Sequence, residues 1–440
     1  MTSPTDNPSK LKLDLRAADT TADRWRSLVE GRSIPGALPV FLWETPEGES
    51  LVACGSATQF QAGGPPRFSA SRKWFAGNAG IRIDRDGSPQ SIGLAVAGFS
   101  FAETAATGWA ASDGIAFAPE RILRIDRDRK AVETRQEPVL SGGREADRPG
   151  FDAAAGPAVP VEDTVPARPE WSEAAWERAV RAALEEIEAG RLEKVVLARC
   201  REIEVPRAWN LLTVYKAMRE TYPSSFRFLL TDGRGSAFLG ASPERLVSLR
   251  GGRVEAEAVA GTARAAIPAD RDPEGARAAS MLADPKERRE HEVVLREVLS
   301  ALTPCCSGVA AEPEPSVQTH RHLLHLRTRV TADAEPGTHV LDLVSRLHPT
   351  PAVAGLPRAA ALEFIREWEP RERGWYAGPI GWFDSGGNGD FTVGLRSALV
   401  RGNRALLFGG AGIVAGSDPA REWGECEAKM ESMLDALAHG

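Results

Sequence analysis

Two pairs of glutamates stand at helical spacing in this 440-residue chain. Glu287 and Glu290 are three residues apart, and Glu422 and Glu425 repeat the spacing near the end of the sequence. Residues three apart share one face of a helix, and both faces continue into apolar positions that point toward the interior. Buried carboxylates call for a cation. A set of hard oxygen ligands without histidine or cysteine suits Mg²⁺ better than zinc.

The spacing of these glutamates also fits a solvated helix face, because Lys286, Arg288 and Arg289 are available as ion-pair partners. Three other features of the sequence can likewise be interpreted either as functional or as purely structural. The glycine-rich run 409–414 offers backbone N–H groups to an anion, or is a tight turn, and it lacks the Lys-Ser/Thr ending of a P-loop. Lys194 and Glu244 would suit acid-base chemistry if buried, but each also fits a surface position.

Composition limits the class of protein. Hydrophobic residues make up 42% of the chain and charged residues 26%, values typical of a globular protein. The net charge of −7 argues against a nucleic-acid partner. The apolar runs are shorter than the ~20 residues that span a bilayer, the N-terminus lacks a secretion leader, and the five cysteines form no C-x-x-C pair. We expect a cytoplasmic protein with no membrane partner.

The order of predicted elements favours an α+β protein with large mixed or antiparallel sheets flanked by helices. Helices are predicted from Ser172 to Gly190, over 273–302 and over 419–437. Predicted strands cover 40–43, 92–99, 194–198, 226–230, 237–239, 253–259, 380–383 and 391–399. Gly, Ala and Pro are frequent over 142–169, which is typical of a linker. We therefore divide the chain into an N-terminal α/β region, 1–165, ending in a linker, and a catalytic region, 166–440.

Read together, the motifs of the second region resemble the chorismate-utilising enzymes. The motifs occur in the family's order: EKVVLAR (193–199), GASPE (240–244), AGTAR (260–264), PKERREH (285–291), HPTPAVAG (348–355), GAGI (410–413) and EWGECEAK (422–429). The resemblance covers residues 171–437 and implies the family's fold and a chorismate-binding catalytic region.

The resemblance also assigns site residues. It implies Mg²⁺ bound by Glu290 and Glu425, with Glu287 and Glu422 holding its waters. It implies that chorismate is contacted by the following residues: Gly261, Thr262, His325, Ala352, Tyr376, Arg396, Gly410, Gly412 and Lys429. A dianionic substrate would thus meet one divalent ion, cationic side chains and amide dipoles.

Within the family, Lys194 favours water as the nucleophile, because isochorismate synthases and salicylate synthases have a lysine at this position. Glu244 would protonate the departing 4-hydroxyl while water attacks C2, giving isochorismate; burial favours the neutral form of both groups. The Ala352-Val353 pair resembles isochorismate synthases, whereas salicylate-forming and amine-transferring relatives tend to have threonine first. The predicted function is therefore isochorismate synthase, an isomerase whose product feeds menaquinone, siderophore or salicylate formation.

Three alternatives stay open. A salicylate synthase would carry isochorismate on to salicylate and pyruvate. An amine-transferring subunit would work with a glutaminase, although Lys194 argues against it. A catalytically inactive paralogue is disfavoured because the base, the acid and all four glutamates are present. We expect a monomer without a glutaminase subunit, acting on the small molecule chorismate.

Overall fold

The structure is a computed structural model that describes residues 39–56, 58–77, 82–84, 93–102, 114–127, 131–137, 170–233, 235–264, 273–320 and 323–440. Two large antiparallel sheets with helices on their outer faces form the protein, which confirms the predicted α+β class. None of the helices in the described ranges combines the length and the hydropathy that a bilayer-spanning segment requires.

The strands follow one another along the chain as β1 Val40–Glu44, β2 Ser50–Cys54, β3 Thr58–Gln61, β4 Arg82–Asp84, β5 Leu94–Phe99, β6 Gly114–Ala118, β7 Arg121–Ile125, β8 Ala131–Glu137, β9 Lys194–Glu204, β10 Phe226–Thr231, β11 Ser236–Ser242, β12 Arg245–Arg250, β13 Arg253–Arg264, β14 Cys306–Ala311, β15 Ser316–His320, β16 Leu323–Ala334, β17 Gly355–Leu356, β18 Pro379–Asp384, β19 Gly389–Val393, β20 Ser397–Arg401 and β21 Arg404–Ile413. The first sheet has 11 strands in the order β17-β9-β21-β20-β11-β10-β1-β2-β7-β8-β4. The second sheet has 10 strands, in the order β14-β16-β13-β12-β19-β18-β5-β6-β3, with β15 also paired to β16.

The helices of the described residues are α1 Arg67–Gly77, α2 Glu173–Glu188, α3 Leu211–Thr221, α4 Pro273–Ala283, α5 Pro285–Leu302, α6 Val340–Leu347, α7 Arg358–Trp368 and α8 Pro419–Leu437. Helix α5 packs on β13 of the second sheet, and α8 packs on β21 of the first. These two helices carry the four glutamates, so each sheet supports one carboxylate pair.

Strand alternation buries both faces of the first sheet. Phe226, Phe228 and Leu230 of β10 belong to the core between the two sheets, whereas Leu229 belongs to a second core under α3 and α8. Successive side chains of a strand point to opposite faces. The sheet is therefore the central layer of the protein.

Two of the predicted elements are each divided into two elements in the structure. The helix predicted over 273–302 is two helices, because Pro285 has no N–H to continue the first one and Asp284 caps the second. The strand predicted over 391–399 is divided into β19 and β20. Arg396 has a φ of 47°, which an extended strand does not allow, and the chain changes sheet at this point. The helix predicted over 419–437 is confirmed.

Two of the passages between the sheets lie close together: the chain crosses from the first sheet to the second between β11 and β12, and from the second to the first between β19 and β20. Glu244 lies on the first crossing and Arg396 on the second. The crossings are bonded to each other, because the N–H of Val393 donates to the carbonyl of Glu244 at 3.3 Å and the N–H of Ala241 donates to the carbonyl of Arg396 at 3.0 Å. One predicted site residue is thus placed at each of these two crossings.

Strands from the first part of the chain complete both sheets, since β1 pairs with β10 and β5 pairs with β18. The linker predicted over 142–169 lies entirely outside the described residues. The division at residue 165 therefore stays a prediction.

Candidate active site

A small cavity of about 60 Å³ opens beside the two sheet crossings. Predicted site residues form much of its wall: Glu244, Gly261, Thr262, Glu290, His325, Ala352, Tyr376, Arg396, Gly410, Gly412 and Lys429. The cavity is smaller than the ~300–1,000 Å³ of typical ligand pockets. Lys194, Glu287, Glu422 and Glu425 are not among its lining residues and lie around it.

Glu244 lies in the cavity wall, in surroundings that favour its protonated form. Its side chain is buried, and its Oε1 has no hydrogen-bond partner. Burial and the charge of Glu257 raise the pKa of Glu244 to about 8, although Lys194 acts in the opposite direction. A carboxylic acid that keeps its proton near neutral pH is suited to act as a general acid.

Lys194 is fully buried at the start of β9. Its Nζ lies 2.9 Å from Oε1 of Glu290, which itself lines the cavity. Burial alone would raise the pKa of Glu290, but Lys194, Lys429 and Lys286 bring it below its usual value. A Cβ at position 412 would lie 2.4 Å from Oε1 of Glu290 and 2.9 Å from Cε of Lys194, so only glycine leaves room for this ion pair.

His325 orients Arg396 in the cavity. The Nδ1 atom of His325 lies 2.9 Å from the carbonyl oxygen of Gly261, and its Nε2 lies 2.7 Å from Nη2 of Arg396. A carbonyl only accepts and a guanidinium only donates, so His325 is neutral with its proton on Nδ1. Burial lowers the pKa of Arg396 to about 10, which leaves the guanidinium charged at neutral pH. The result is a fixed, desolvated cation suited to a carboxylate.

The amides of Gly410 and Gly412 lie outside the ladder that joins β21 to β9. In that pairing Gly410 is opposite Ala198 and Gly412 is opposite Val196. The N–H of Ala198 donates to Glu369 and the N–H of Val196 donates to Ala354, so both residues direct their backbone groups away from β21. In an antiparallel pair the partners do the same on the other side. The two glycine amides therefore face the cavity side of β21.

Lys429 and Tyr376 close the same side of the cavity. The Nζ of Lys429 donates to the carbonyl of Gly410 at 2.7 Å and to Oε1 of Glu425 at 2.6 Å. The ring of Tyr376 stacks on Phe408 with centroids 4.8 Å apart. Thr262 is tied to the helix opposite, because its N–H donates to Oε2 of Glu287 at 2.8 Å.

Each of the four glutamates is paired with a cation. Glu290 pairs with Lys194 at 2.9 Å, Glu425 with Lys429 at 2.6 Å, Glu422 with Lys286 at 2.9 Å, and Glu287 with Arg421 at 3.1 Å. Within the described part of the chain, no three acidic, histidine or cysteine side chains converge as metal ligands.

The chemistry of the four glutamates nevertheless fits a divalent cation. Burial and the charges of Glu290 and Glu425 raise the pKa of Glu287 to about 7. Burial and Glu425 likewise raise the pKa of Glu422, and its buried Oε2 has no hydrogen-bond partner. These carboxylates crowd one another, and a hard cation would relieve the repulsion between them.

Arg373 is a cavity residue that the sequence did not single out. It is buried, and its guanidinium donates to the carbonyls of Val353 and Val196 at 2.6 and 2.8 Å while pairing with Glu369. It stands in the charged run 369–373, which has the composition of a solvated loop. The neighbouring Trp375 and Tyr376 were the one signal that this run enters the interior.

A larger cavity of about 500 Å³ lies elsewhere, lined by Arg72, His339 and Asp384 among others. It contains none of the predicted site residues. We therefore do not choose between the two cavities by size. The smaller one brings together a buried carboxylic acid, fixed cations and backbone amides outside the strand ladder, and it is the candidate active site.

Comparison with known proteins identifies the family. Residues 20–438 match the sequence profile of the family described as "Chorismate binding enzyme". The chain belongs to the chorismate binding enzyme family. The predicted resemblance is therefore confirmed.

Three relatives of this chorismate binding enzyme are named isochorismate synthases. "Isochorismate synthase MenF" of Bacillus subtilis is 32% identical over 416 residues, covering 90% of this chain and 87% of the relative. "Salicylate biosynthesis isochorismate synthase" of Pseudomonas aeruginosa is 40% identical over 266 residues, 60% of this chain and 54% of the relative, so the chain spans about half the length of that protein. The solved structure of MenF, the menaquinone-specific isochorismate synthase from Escherichia coli, superimposes with a TM-score of 0.70 at 27% identity, covering 91% of this chain and 88% of that chain.

Proposed function

We propose that this protein is an isochorismate synthase that isomerises chorismate by adding water at C2 and expelling the 4-hydroxyl. The observation that carries the proposal is a buried glutamate, Glu244, in the wall of an anion-binding cavity, together with a buried lysine, Lys194, that contacts the cavity residue Glu290. Lys194 and Glu244 are both less than 2% exposed. The same reaction is supported by two relatives that are named isochorismate synthases and that align with most of this chain.

Glu244 acts as the general acid. As the C4–O bond breaks, its proton passes to the departing hydroxyl, which leaves as water. The ring double bonds shift toward C4 as the new C2–O bond forms, so one water is consumed and one is released. Since the acid must hold its proton, kcat should fall as pH rises through about 8.

Lys194 acts as the general base that takes a proton from the attacking water. Its Nζ is engaged by Glu290 in this structure. The lysine must leave that ion pair and lose its proton before it can activate water. Glu290 lines the cavity beside Gly412, so the released amine would lie next to the substrate ring.

The remaining groups bind the two carboxylates of chorismate. Arg396, fixed by His325, supplies a charged fork, and Lys429 supplies a second cation. The amides of Gly410 and Gly412 add neutral donors from the backbone. Binding the dianion would draw Lys429 away from Glu425 and open the narrow cavity.

We further propose that Glu290 and Glu425 hold Mg²⁺ directly, with Glu287 and Glu422 acting through water. When bound there, the ion supplies Lewis-acid polarisation of the substrate carboxylate. The chain's own contribution is to place two carboxylates on each of α5 and α8 next to the cavity, which Glu290 lines.

The test is chromatography of the products formed from chorismate with and without Mg²⁺. Isochorismate as the main product supports the proposal. Salicylate and pyruvate would indicate a salicylate synthase, and an aminated product that requires ammonia would indicate an amine-transferring enzyme. Glu244→Gln should abolish turnover, whereas Glu255→Gln, a matched change on β13 of a half-exposed carboxylate that does not line the cavity, should not.

A further inference from the structure

Glu257 is a buried carboxylate that the proposed mechanism does not use. It lies on β13 and is 5% exposed. Its Oε1 accepts from Nε and Nη2 of Arg327 at 3.0 and 2.7 Å, and its Oε2 accepts from the N–H of Arg245 at 3.0 Å. Donors on both oxygens, a guanidinium on Oε1 and a backbone amide on Oε2, hold this carboxylate in one position.

The Oε2 contact reaches the peptide that follows the general acid. The N–H of Arg245 belongs to the residue after Glu244, and the carbonyl of Glu244 accepts from Val393 and from the hydroxyl of Thr392. The backbone around Glu244 is therefore hydrogen-bonded on one side by Glu257 and on the other by β19. A displacement of Glu257 would be transmitted to Glu244 directly.

Two charged side chains lie near enough to Glu244 to alter its proton affinity. Glu257 approaches from β13, and Lys194 from β9. The guanidinium of Arg245 is turned away, toward Glu47, Glu255 and Asp390. Glu257 is thus the negative neighbour of the acid, and Arg327 is the cation that partly offsets it.

We propose that Glu257 is a positioning residue that holds the backbone of Glu244 in place and uses its own fixed negative charge to keep the proton on that acid. This inference rests on the proposed role of Glu244 as general acid. Its physical basis is that a like charge in a poorly solvated site disfavours a second ionised carboxylate. Burial and Glu257 together raise the pKa of Glu244 to about 8.

The first test is the pH dependence of kcat in Glu257→Gln, which keeps the shape and removes the charge. We expect the alkaline limb to move to lower pH by roughly one unit, the size of a nearby like-charge effect, with kcat changed only a few-fold well below the limb. Glu255→Gln is the matched control, two residues along β13, and should keep the wild-type limb. A limb that does not move, or a kcat lowered equally at every pH, overturns the proposal.

Arg327→Gln tests the same idea from the other side and serves if Glu257→Gln does not fold. Removing the offsetting cation should move the limb to higher pH, and a shift to lower pH contradicts the proposal.

A second measurement separates this inference from the proposed function. The infrared carbonyl band of protonated Glu244, assigned by subtracting Glu244→Gln, can be titrated without turnover. The band should disappear at lower pH in Glu257→Gln than in wild type, whatever product the enzyme forms. An unchanged titration would overturn the role of Glu257 even if isochorismate is the product.

Discussion

The proposal that water is the nucleophile depends on Lys194. We expect Lys194→Ala to lower kcat by roughly 10²- to 10⁴-fold, the usual cost of losing a general base, while chorismate binding measured by calorimetry stays nearly unchanged. The variant also leaves Glu290 without its ion-pair partner, so folding must be checked by circular dichroism. A folded variant with wild-type kcat would show that another group activates water.

The four glutamates should differ in their effect on metal binding. Glu290→Gln and Glu425→Gln should weaken Mg²⁺ binding most, while Glu287→Gln and Glu422→Gln should weaken it less if they act through water. Calorimetric titration of Mg²⁺ measures affinity independently of turnover. Glu427→Gln is the matched control, because it removes a carboxylate of α8 that pairs with Arg199 and does not line the cavity. Equal Mg²⁺ affinities in wild type and in every variant would contradict the proposal that these glutamates bind the ion.

Ala352 lies at the cavity wall, where the product preference was predicted to depend on it. Ala352→Thr adds a hydroxyl and a β-branch beside the substrate, so isochorismate formation should fall and salicylate should become more visible. One hydroxyl is worth about 1 to 3 kcal/mol in discrimination, which shifts a product ratio without inverting it. Ala352→Val adds the branch without the hydroxyl and isolates the polar effect. An unchanged product mixture in the threonine variant would mean that Ala352 only packs.

Among the helices, α5 depends on its N-terminal cap. The side chain of Asp284 accepts from the N–H groups of Lys286 and Glu287 at 2.8 and 3.4 Å. Asp284→Ala should lower the free energy of unfolding by about 1 kcal/mol, measured by urea denaturation. Because the cap fixes the turn that carries Glu287, the Mg²⁺ concentration for half-maximal activity should rise as well. Asp284→Asn retains a capping oxygen and should restore most of the stability; if it is no better than alanine, the cap is not the cause.

Local sequence signals found the elements but not how they combine. The apolar periodicity of α8 and the proline at its first position predicted both ends of that helix correctly. The apolar pattern over 273–302, in contrast, did not indicate the break at Asp284 and Pro285. Strand patterning over 391–399 did not show that β19 and β20 belong to different sheets, because alternation records burial and not the neighbouring strand.

The site was predictable only through the family motifs. Spacing placed Glu287 beside Glu290, but the pairing of Lys194 with Glu290 joins residues far apart in the sequence. Arg373 and Glu257 were missed because charged residues in strands and loops are usually solvated. Their burial depends on partners such as Glu369 and Arg327 that only the tertiary structure brings together.

Across the whole chain, the interleaving of strands makes a test of the predicted regions possible. Residues 166–440 produced alone would lack β1 and β5 and would expose the edges of β10 and β18. Open edges of apolar strands promote association, so we expect this fragment to aggregate, measured by light scattering. Production together with residues 1–165 should restore a soluble complex. A soluble, active fragment alone would show that the second region folds independently.

The bonded sheet crossings have a consequence for how far such a sequence can diverge. Val393 to Glu244 and Ala241 to Arg396 are main-chain hydrogen bonds, and any residue except proline can donate one. The spacing between Glu244 and Arg396 is therefore set by backbone groups that mutation seldom removes. Side chains in the flanking strands can drift as long as the pattern of burial is kept. A shared fold at 27% identity with a solved relative is what such tolerance permits, and random mutagenesis of β11, β12, β19 and β20 should yield many active variants outside the crossings themselves.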